Sequence, residues 1–292
     1  MKILHVSDLH FKKSNGQEEL LDRARREFER LQPDIILITG DLTNKGHRKE
    51  YKAVGKLIET LDFCDKVLII PGNRDDNQDN WEDEYREHIS PNLDFFYRDP
   101  DKGIAIVGLN GMPDEISLHQ REMMKKFFSK ETSGELRIFC THRSFLPVPT
   151  KRVKSEHLEP RAGDILQELI DLGIDMVCCG HIHYCHVWPV SGLVCCSAGL
   201  LFDESDEKNG FLEIEIEQHL RIVKRSLDLA SPTELYYKPD FWQTREKPDF
   251  WQTREKMATR SGDKTKWRFP RPWFLKGILS GHAPQHVPHQ LT

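Results

Sequence analysis

The stretch Ile35–Asp41 decides the fold, since its residues Ile-Ile-Leu-Ile-Thr-Gly-Asp lead from an apolar run directly into a polar turn. Consecutive aliphatic residues are typical of a strand that is covered on both faces. Two similar runs, Ile3–Val6 and Val67–Ile70, lie on either side of it, and amphipathic helical patterns separate the three runs. This order predicts βαβ units with parallel strands, and therefore an α/β domain.

Further strand-like runs follow along the chain, at residues 104–107, 136–140, 176–179, 186–190, 193–196, 211–216 and 220–223. The later runs are closely spaced, so we expect a mixed sheet that finishes in hairpins. The alternation of apolar and acidic residues in Phe211–Ile216 predicts a half-exposed antiparallel edge strand. Residues 75–102 are acidic and predict one weak helix that caps the strand ends. The main folded domain is predicted to span residues 1–230.

The remaining segment, residues 231–292, differs in charge and composition. It carries a net charge of +5, whereas residues 1–230 carry −10, and it repeats a nine-residue unit at 238–246 and 247–255. Two short copies do not make a solenoid. We expect a weakly ordered, basic and aromatic-rich extension, and interpret His282, His286 and His289 as part of it. The alternative is contact with a partner, single-stranded nucleic acid or an anionic surface.

Composition indicates the class of protein. Hydrophobic residues make up 38% and charged residues 30% of the chain, as in ordinary soluble globular proteins. The N-terminus carries no apolar signal segment, and no apolar run approaches the length that spans a bilayer. We therefore expect a cytoplasmic location. The acidic body does not indicate a dedicated duplex-DNA binder, which usually presents a basic face.

The seven cysteines form no CxxC pair, and most lie in apolar strand-like runs. The favoured interpretation is that they are reduced thiols acting as small core residues. A disulfide framework or a thiolate metal site is the alternative.

Polar side chains recur directly after five of the predicted strands. They are Asp8 and His10, Asp41, Asn73, His142, and His181 with His183. Open α/β sheets place their ligand sites at the carboxyl ends of strands, so we expect these side chains to converge in one crevice. Carboxylate, imidazole and amide ligands without a thiolate suit Mn, Fe, Co, Ni, Zn or Mg. Each short motif alone is weak, but five in order at strand ends predict a metal site.

This ordered set, D-x-H, G-D, G-N, H and G-H-x-H, resembles the calcineurin-like metallophosphoesterase superfamily over residues 1–230. The resemblance implies a two-sheet mixed β-sandwich flanked by helices, with two metal ions. On that pattern Asp8, His10 and His183 bind one ion, and Asn73, His142 and His181 bind the other. Asp41 would bridge the two, and a hydroxide between them would be the nucleophile.

Arg74 departs from the family pattern, because a histidine usually follows the asparagine. The guanidinium stays charged and holds phosphate with two donors, but it does not give up a proton near neutral pH. The same arginine is familiar in the UDP-2,3-diacylglucosamine hydrolase branch and in uncharacterised bacterial and archaeal members. Residues 146–149, 163–164 and 197–199 look more like those uncharacterised members, and also resemble the cyclic-nucleotide phosphodiesterase group. Protein Ser/Thr phosphatases fit poorly, since Leu42–Gly46 does not match their motif.

The functional prediction is a hydrolase of phosphodiester or pyrophosphate bonds in small-molecule or nucleotide-type substrates. Asp41 and Arg74 are the predicted catalytic residues, and Asn44, Arg74 and Arg143 the predicted substrate contacts. Asn44 could equally be a turn residue, and Arg143 a solvated one. A nuclease of the same superfamily and a metal-binding scaffold without turnover are the alternatives.

Two further residues have secondary interpretations. Asp75 is expected to accept a hydrogen bond from Asn73 or His10, or otherwise to close a turn. His5 lies inside the first strand, so it is expected to be a core residue rather than a ligand.

Overall fold

The computed structural model describes residues 1–12, 17–112, 114–129, 134–148, 158–202, 210–227 and 231–243. Within these residues the chain forms two six-stranded sheets and five helices. The helices are α1 (Gln17–Leu31), α2 (Arg48–Glu59), α3 (Trp81–His88), α4 (Leu118–Phe128) and α5 (Ala162–Asp171).

The first sheet is built around the three parallel strands predicted at the start of the chain. Its strands are β1 (Lys2–Val6), β2 (Ile35–Thr39), β3 (Lys66–Ile70), β10 (Phe211–Ile216), β11 (Leu220–Arg225) and β12 (Thr233–Lys238). They lie in the order β12-β11-β10-β1-β2-β3, with β1, β2 and β3 parallel and the others joined antiparallel. The predicted βαβ arrangement is confirmed.

The second sheet has parallel strands at its centre and antiparallel strands at both edges. Its strands are β4 (Phe95–Asp99), β5 (Ile104–Gly108), β6 (Leu136–Cys140), β7 (Met176–Cys179), β8 (His186–Val190) and β9 (Leu193–Ser197). They lie in the order β4-β5-β6-β7-β9-β8. The edge strands β4 and β8 pair antiparallel with their neighbours.

The core consists of three apolar layers. The middle layer lies between the sheets and contains Ile3 and Leu37 of the first sheet with Ile106 and Ile138 of the second. One outer layer joins α1, α2 and α3 to the first sheet, and the other joins α4 and α5 to the second. The predicted two-sheet sandwich flanked by helices is therefore confirmed.

Three elements differ from the sequence-based prediction. Residues 95–99 form β4 within the acidic segment that was predicted to be a cap, because Phe95 and Tyr97 pack against the core between the sheets. Helix α4 was not predicted. Strand β10 is not an edge strand, since it lies between β1 and β11 and its Glu213 is buried.

The first sheet also includes residues beyond 230. Strand β12 pairs with β11, and Phe241 after it is buried in the middle layer. Residues 244–292, with most of the repeat and the three tail histidines, lie outside the described residues. None of the described helices combines the length and apolar character that a bilayer crossing requires.

Candidate metal centre

The candidate site lies where the carboxyl ends of strands from both sheets meet. Strands β1, β2 and β3 of the first sheet lead into three of the five polar motifs, and β6 and β7 of the second sheet lead into the other two. The structure brings all seven predicted ligand residues together, in two groups that share one residue.

The first group consists of Asp8, His10, Asp41 and His183, which each offer a ligand atom within 4.8 Å of the others. The Nε2 atoms of His10 and His183 are 3.0 Å apart. His183 Nε2 lies 3.1 Å from Asp8 Oδ1, and His10 Nε2 lies 3.5 Å from Asp41 Oδ2. These atoms therefore surround one small volume.

The second group consists of Asp41, His142 and His181, with Asn73 beside them. His142 Nε2 lies 3.3 Å from Asp41 Oδ1 and 3.0 Å from Asn73 Oδ1. His181 Nδ1 is 3.2 Å from the same His142 nitrogen. Asp41 thus turns one carboxylate oxygen towards each group, which is the arrangement that a bridging ligand requires.

The ligand atoms are arranged to bind cations rather than to form hydrogen bonds with one another. His142 Nδ1 donates to the carbonyl oxygen of Thr39 over 2.8 Å, so neutral His142 presents the lone pair of Nε2 to oxygens that only accept. Asp8 Oδ1 is buried without a hydrogen-bond partner among the described residues. Lone pairs that converge in this way are stabilised by a positive ion between them.

The pKa shifts of these residues also indicate a site for a cation. Burial opposes protonation of His142, but the charge and hydrogen bond of Asp41, the charge of Asp8 and the hydrogen bond to Thr39 together raise the His142 pKa to about 9. Burial and the neighbouring His142 lower the pKa of His181 to about 3. Burial also opposes ionisation of Asp8, yet the nearby imidazoles of His10, His183 and His142 hold its pKa well below the ordinary value. The site therefore favours positive charge at its centre.

The backbone at the site is strained. Asp8, His10, Asp41, His181 and His183 all have positive φ, between 45° and 67°. Left-handed conformations in non-glycine residues cluster at functional sites, where the surrounding structure enforces them. Position 180, before His181, requires glycine for a steric reason, because a Cβ there would overlap Ser7 Oγ and Asp8 Oδ2.

Asp75 accepts no hydrogen bond from Asn73 or His10, which corrects that prediction; it closes the turn that begins at Gly72, as the alternative interpretation expects. Its buried carboxylate accepts the backbone N–H groups of Leu42, Thr43 and Gly72 and the hydroxyl of Thr43. It therefore fastens the loop after β2 to the loop after β3. Burial and then the charge of Asp41 raise the Asp75 pKa to about 6.

The predicted substrate contacts have different surroundings. Arg74 donates its backbone N–H to Asp41 Oδ1 over 2.7 Å, while its side chain is exposed. Arg143 Nη1 donates to the carbonyl of Asp114 over 2.7 Å. Asn44 lines a cavity of about 640 Å³ together with basic residues that include Lys12, Lys45 and Lys49.

Sequence reasoning missed Glu159, a buried acid from the segment before α5. Its Oε1 accepts the N–H of Ile116 over 3.0 Å, and its Oε2 has no hydrogen-bond partner among the described residues. Its backbone N–H donates to Ser144, two residues after His142. Burial raises the Glu159 pKa to about 7. No motif surrounds this residue in the sequence, so only the fold reveals its position.

Comparison with known proteins agrees with this geometry. A probable glycerophosphodiester phosphodiesterase GpdQ of Arcobacter nitrofigilis is 28% identical over 210 residues, which cover 63% of this chain and 72% of that protein. A probable cyclic nucleotide phosphodiesterase of a Pseudoalteromonas species is 23% identical over 201 residues, which cover 63% of this chain and 71% of that protein.

The fold is also similar to that of a solved structure. A dimetal phosphatase of Danio rerio superposes with a TM-score of 0.62 at 12% identity, over 82% of this chain and 99% of that one. At this identity the likeness concerns the fold alone. The family described as calcineurin-like phosphoesterase matches residues 1–185. The chain therefore belongs to the calcineurin-like phosphoesterase family, whose chemistry is the hydrolysis of phosphoric esters at a two-metal site.

Proposed function

We propose that the protein hydrolyses phosphodiester or pyrophosphate bonds in small-molecule substrates. The observation that carries this proposal is the position of Asp41, whose two carboxylate oxygens face two separate groups of ligands. Asp8, His10 and His183 would hold one ion, and Asn73, His142 and His181 the other. When bound, such a pair of ions supplies an activated water and neutralises charge on the phosphoryl oxygens.

The ligand set limits the identity of the ions. Oxygen and imidazole donors without sulfur suit Mn, Fe, Co, Ni, Zn and Mg. The ring nitrogen of His142 that hydrogen-bonds Thr39 fixes the orientation of the imidazole, as outer-shell partners of metal-binding histidines do.

Arg74 determines which leaving groups the site favours. Its backbone N–H donates to Asp41 and its side chain is exposed, so the guanidinium would be accessible to a phosphoryl oxygen of a bound substrate. It neutralises developing charge but does not donate a proton near neutral pH. Substrates whose leaving group is stable as an anion, such as a second phosphate, fit this chemistry. The phosphodiesterase names of the two relatives favour diesters.

The first test compares hydrolysis of bis(p-nitrophenyl) phosphate with that of p-nitrophenyl phosphate, with added Mn²⁺ and measured metal content. We expect turnover of the diester to exceed that of the monoester. If neither compound is hydrolysed while two ions are bound, the protein is a metal-binding scaffold and the proposal is wrong.

The second test concerns the natural substrate. Cyclic nucleotides, glycerophosphodiesters and nucleotide-sugar pyrophosphates represent three classes that differ in leaving group. A short single-stranded DNA is included, because cleavage of the oligonucleotide in preference to every small molecule would favour a nuclease. The class with the highest kcat/KM identifies the substrate chemistry.

A further inference from the structure

A second group of metal-binding side chains lies in the core between the two sheets. His5 comes from β1, Cys178 from β7 and Cys196 from β9, and all three are 0% exposed. Each offers a ligand atom within 4.8 Å of the others. None of the three is among the candidate ligands of the phosphoesterase centre, and two of them are thiols.

The distances within this group suit a single ion. Cys178 and Cys196 lie opposite each other on neighbouring strands, and their sulfurs are 3.5 Å apart. His5 Nδ1 lies 4.0 Å from the sulfur of Cys196. An ion with bonds of about 2.3 Å to sulfur and about 2.0 Å to nitrogen spans both separations.

His5 is oriented as metal-binding histidines are. Its Nε2 is 2.9 Å from the hydroxyl oxygen of Thr39, which leaves Nδ1 facing the thiols. A hydrogen bond on the outer ring nitrogen fixes the imidazole in this way in many metal sites. Burial lowers the pKa of His5 to about 3, so the ring is neutral, as a ligand must be.

Charge balance determines the kind of ion. The neighbours of the group are apolar residues of the layer between the sheets, where an uncompensated charge is costly. A divalent ion that replaces the two thiol protons leaves a site with no net charge. Thiolate sulfur favours zinc-like and softer metals over Mg²⁺ or Ca²⁺.

We propose that His5, Cys178 and Cys196 form a buried three-ligand site for one thiophilic divalent cation, such as Zn²⁺ or Cd²⁺. Two protons leave the thiols as the ion binds. Thr39 connects this site to the phosphoesterase centre, since its hydroxyl contacts His5 and its carbonyl accepts the hydrogen bond of His142. The ion would therefore stabilise the ends of β1 and β2 directly beneath the catalytic ligands.

Cobalt(II) is the probe for this site, because only a thiolate ligand gives the sulfur-to-cobalt charge-transfer band in the near ultraviolet. The full chain is produced with Co²⁺ as the only added transition metal, since a buried site fills during folding. We expect about three cobalt ions per chain, two at the phosphoesterase centre and one between the sheets. Zn²⁺ supplied instead should give the same stoichiometry without the band.

Two variants should lose the band, and two controls should keep it. Cys178→Ala and Cys196→Ala each remove a thiolate and about one bound cobalt. Cys195→Ala is the matched control, because Cys195 is next to Cys196 on β9 but packs in the outer layer against α5. Asp41→Asn should lower cobalt binding at the phosphoesterase centre without removing the band, which separates this proposal from the proposed function.

The wild-type protein alone decides the proposal if the variants do not fold. A folded, cobalt-loaded wild type without a sulfur-to-cobalt band would show that the three residues are ordinary core residues. A band that persists in Cys178→Ala and Cys196→Ala would place the thiolate elsewhere and overturn the assignment to this cluster.

Discussion

At the scale of single residues, Asp41 is the side chain on which the two ligand groups depend. Its Oδ2 faces His10 and its Oδ1 faces His142, so one substitution disturbs both groups. We expect Asp41→Asn to lower kcat/KM for the diester about a hundredfold or more, because the amide keeps one oxygen but loses the charge. Measured metal content should fall with activity. Unchanged turnover in this variant would contradict the bridging role.

Arg74 is expected to act on the substrate rather than on the metal ions. Loss of a charge-assisted hydrogen bond costs about 1.5–3 kcal/mol, so Arg74→Ala should lower kcat/KM about ten- to a hundredfold. Bound metal should stay constant, and Arg74→Lys should recover part of the activity by restoring the charge. If Arg74→Ala instead releases a metal ion, the residue supports the ligands and the substrate role is wrong.

Glu159 predicts a dependence of stability on pH. Its pKa is raised from 4.5 to about 7 by burial, so the folded protein holds this proton over a range in which the unfolded chain has lost it. The contribution of Glu159 to the free energy of unfolding therefore falls as the pH rises from about 4.5 to about 7, and stays at its lowest value above that. The size of the effect is on the order of 3 kcal/mol.

Glu159→Gln removes this titration. We expect the variant to gain stability relative to the wild type at pH 8, but not at pH 4.5, in urea unfolding followed at both values. Glu59→Gln is the control, because the Glu59 side chain is exposed at the end of α2 and does not contribute to the Glu159 pKa. Equal effects of Glu159→Gln at both pH values would show that Glu159 does not titrate with folding.

Convergence of the polar residues at strand ends was predictable, because neighbouring parallel strands end at the same edge of a sheet. The hydrogen-bond partners of these and neighbouring residues could not be predicted from the sequence. Asp75 looked like a support for Asn73 or His10, yet it binds backbone groups of two loops. Thr39 and Glu159 carry no motif, since their contacts join segments that are distant in sequence.

At the scale of elements, β10 has the sequence pattern of an exposed edge strand although it is an inner strand, because one of its acidic residues is buried and ion-paired. The apolar–acidic alternation of Phe211–Ile216 predicts one solvated face, but Glu213 is 1% exposed. Arg225 on β11 and Lys2 on β1 pair with it from the two neighbouring strands. Sequence alone does not reveal that an acidic residue will find two basic partners.

This arrangement predicts that two glutamate substitutions on β10 lower the free energy of unfolding by different amounts. Glu213→Ala leaves Arg225 and Lys2 without the carboxylate that they share and should destabilise the protein by about 1.5–3 kcal/mol, because both cations are partly exposed and regain water. Glu215→Ala removes a partly exposed pair with Arg221 and should cost less than about 1 kcal/mol. The midpoint of urea unfolding, at constant slope, measures both. Similar midpoints for the two variants would contradict the structural role of Glu213.

Strand β4 escaped prediction for a related reason. The acidic composition of residues 75–102 suggests a solvated segment, and only the pairing of β4 with β5 makes Phe95 and Tyr97 part of the core. By contrast, the runs before Asp8, Asp41 and Asn73 are apolar at consecutive positions, so their burial on both faces is evident from the sequence.

At the scale of the whole molecule, the site depends on how the two sheets are placed. Asp8, His10, Asp41 and Asn73 come from the first sheet, and His142, His181 and His183 come from the second. Neither sheet alone supplies a complete ligand group, since His183 joins the first group and Asp41 joins the second. The apolar layer between the sheets therefore maintains the catalytic geometry as well as the fold.

The C-terminal boundary of the domain gives the last prediction. Strand β12 pairs with β11, and Phe241 is 3% exposed in the layer between the sheets. A chain that ends after residue 230 loses both, and removal of one buried phenylalanine alone costs about 3–5 kcal/mol. For a protein of this size that corresponds to a fall in Tm of about 10 °C or more.

A chain that ends after residue 246 keeps β12 and Phe241, so it is the matched control. We expect it to retain both the Tm and the diesterase activity of the full chain, measured by thermal unfolding and by turnover with Mn²⁺. Loss of activity at unchanged Tm in this chain would show that residues 247–292 contribute to substrate binding. If the chain that ends at residue 230 has the same Tm as the chain that ends at residue 246, β12 is not needed for the stability of the fold.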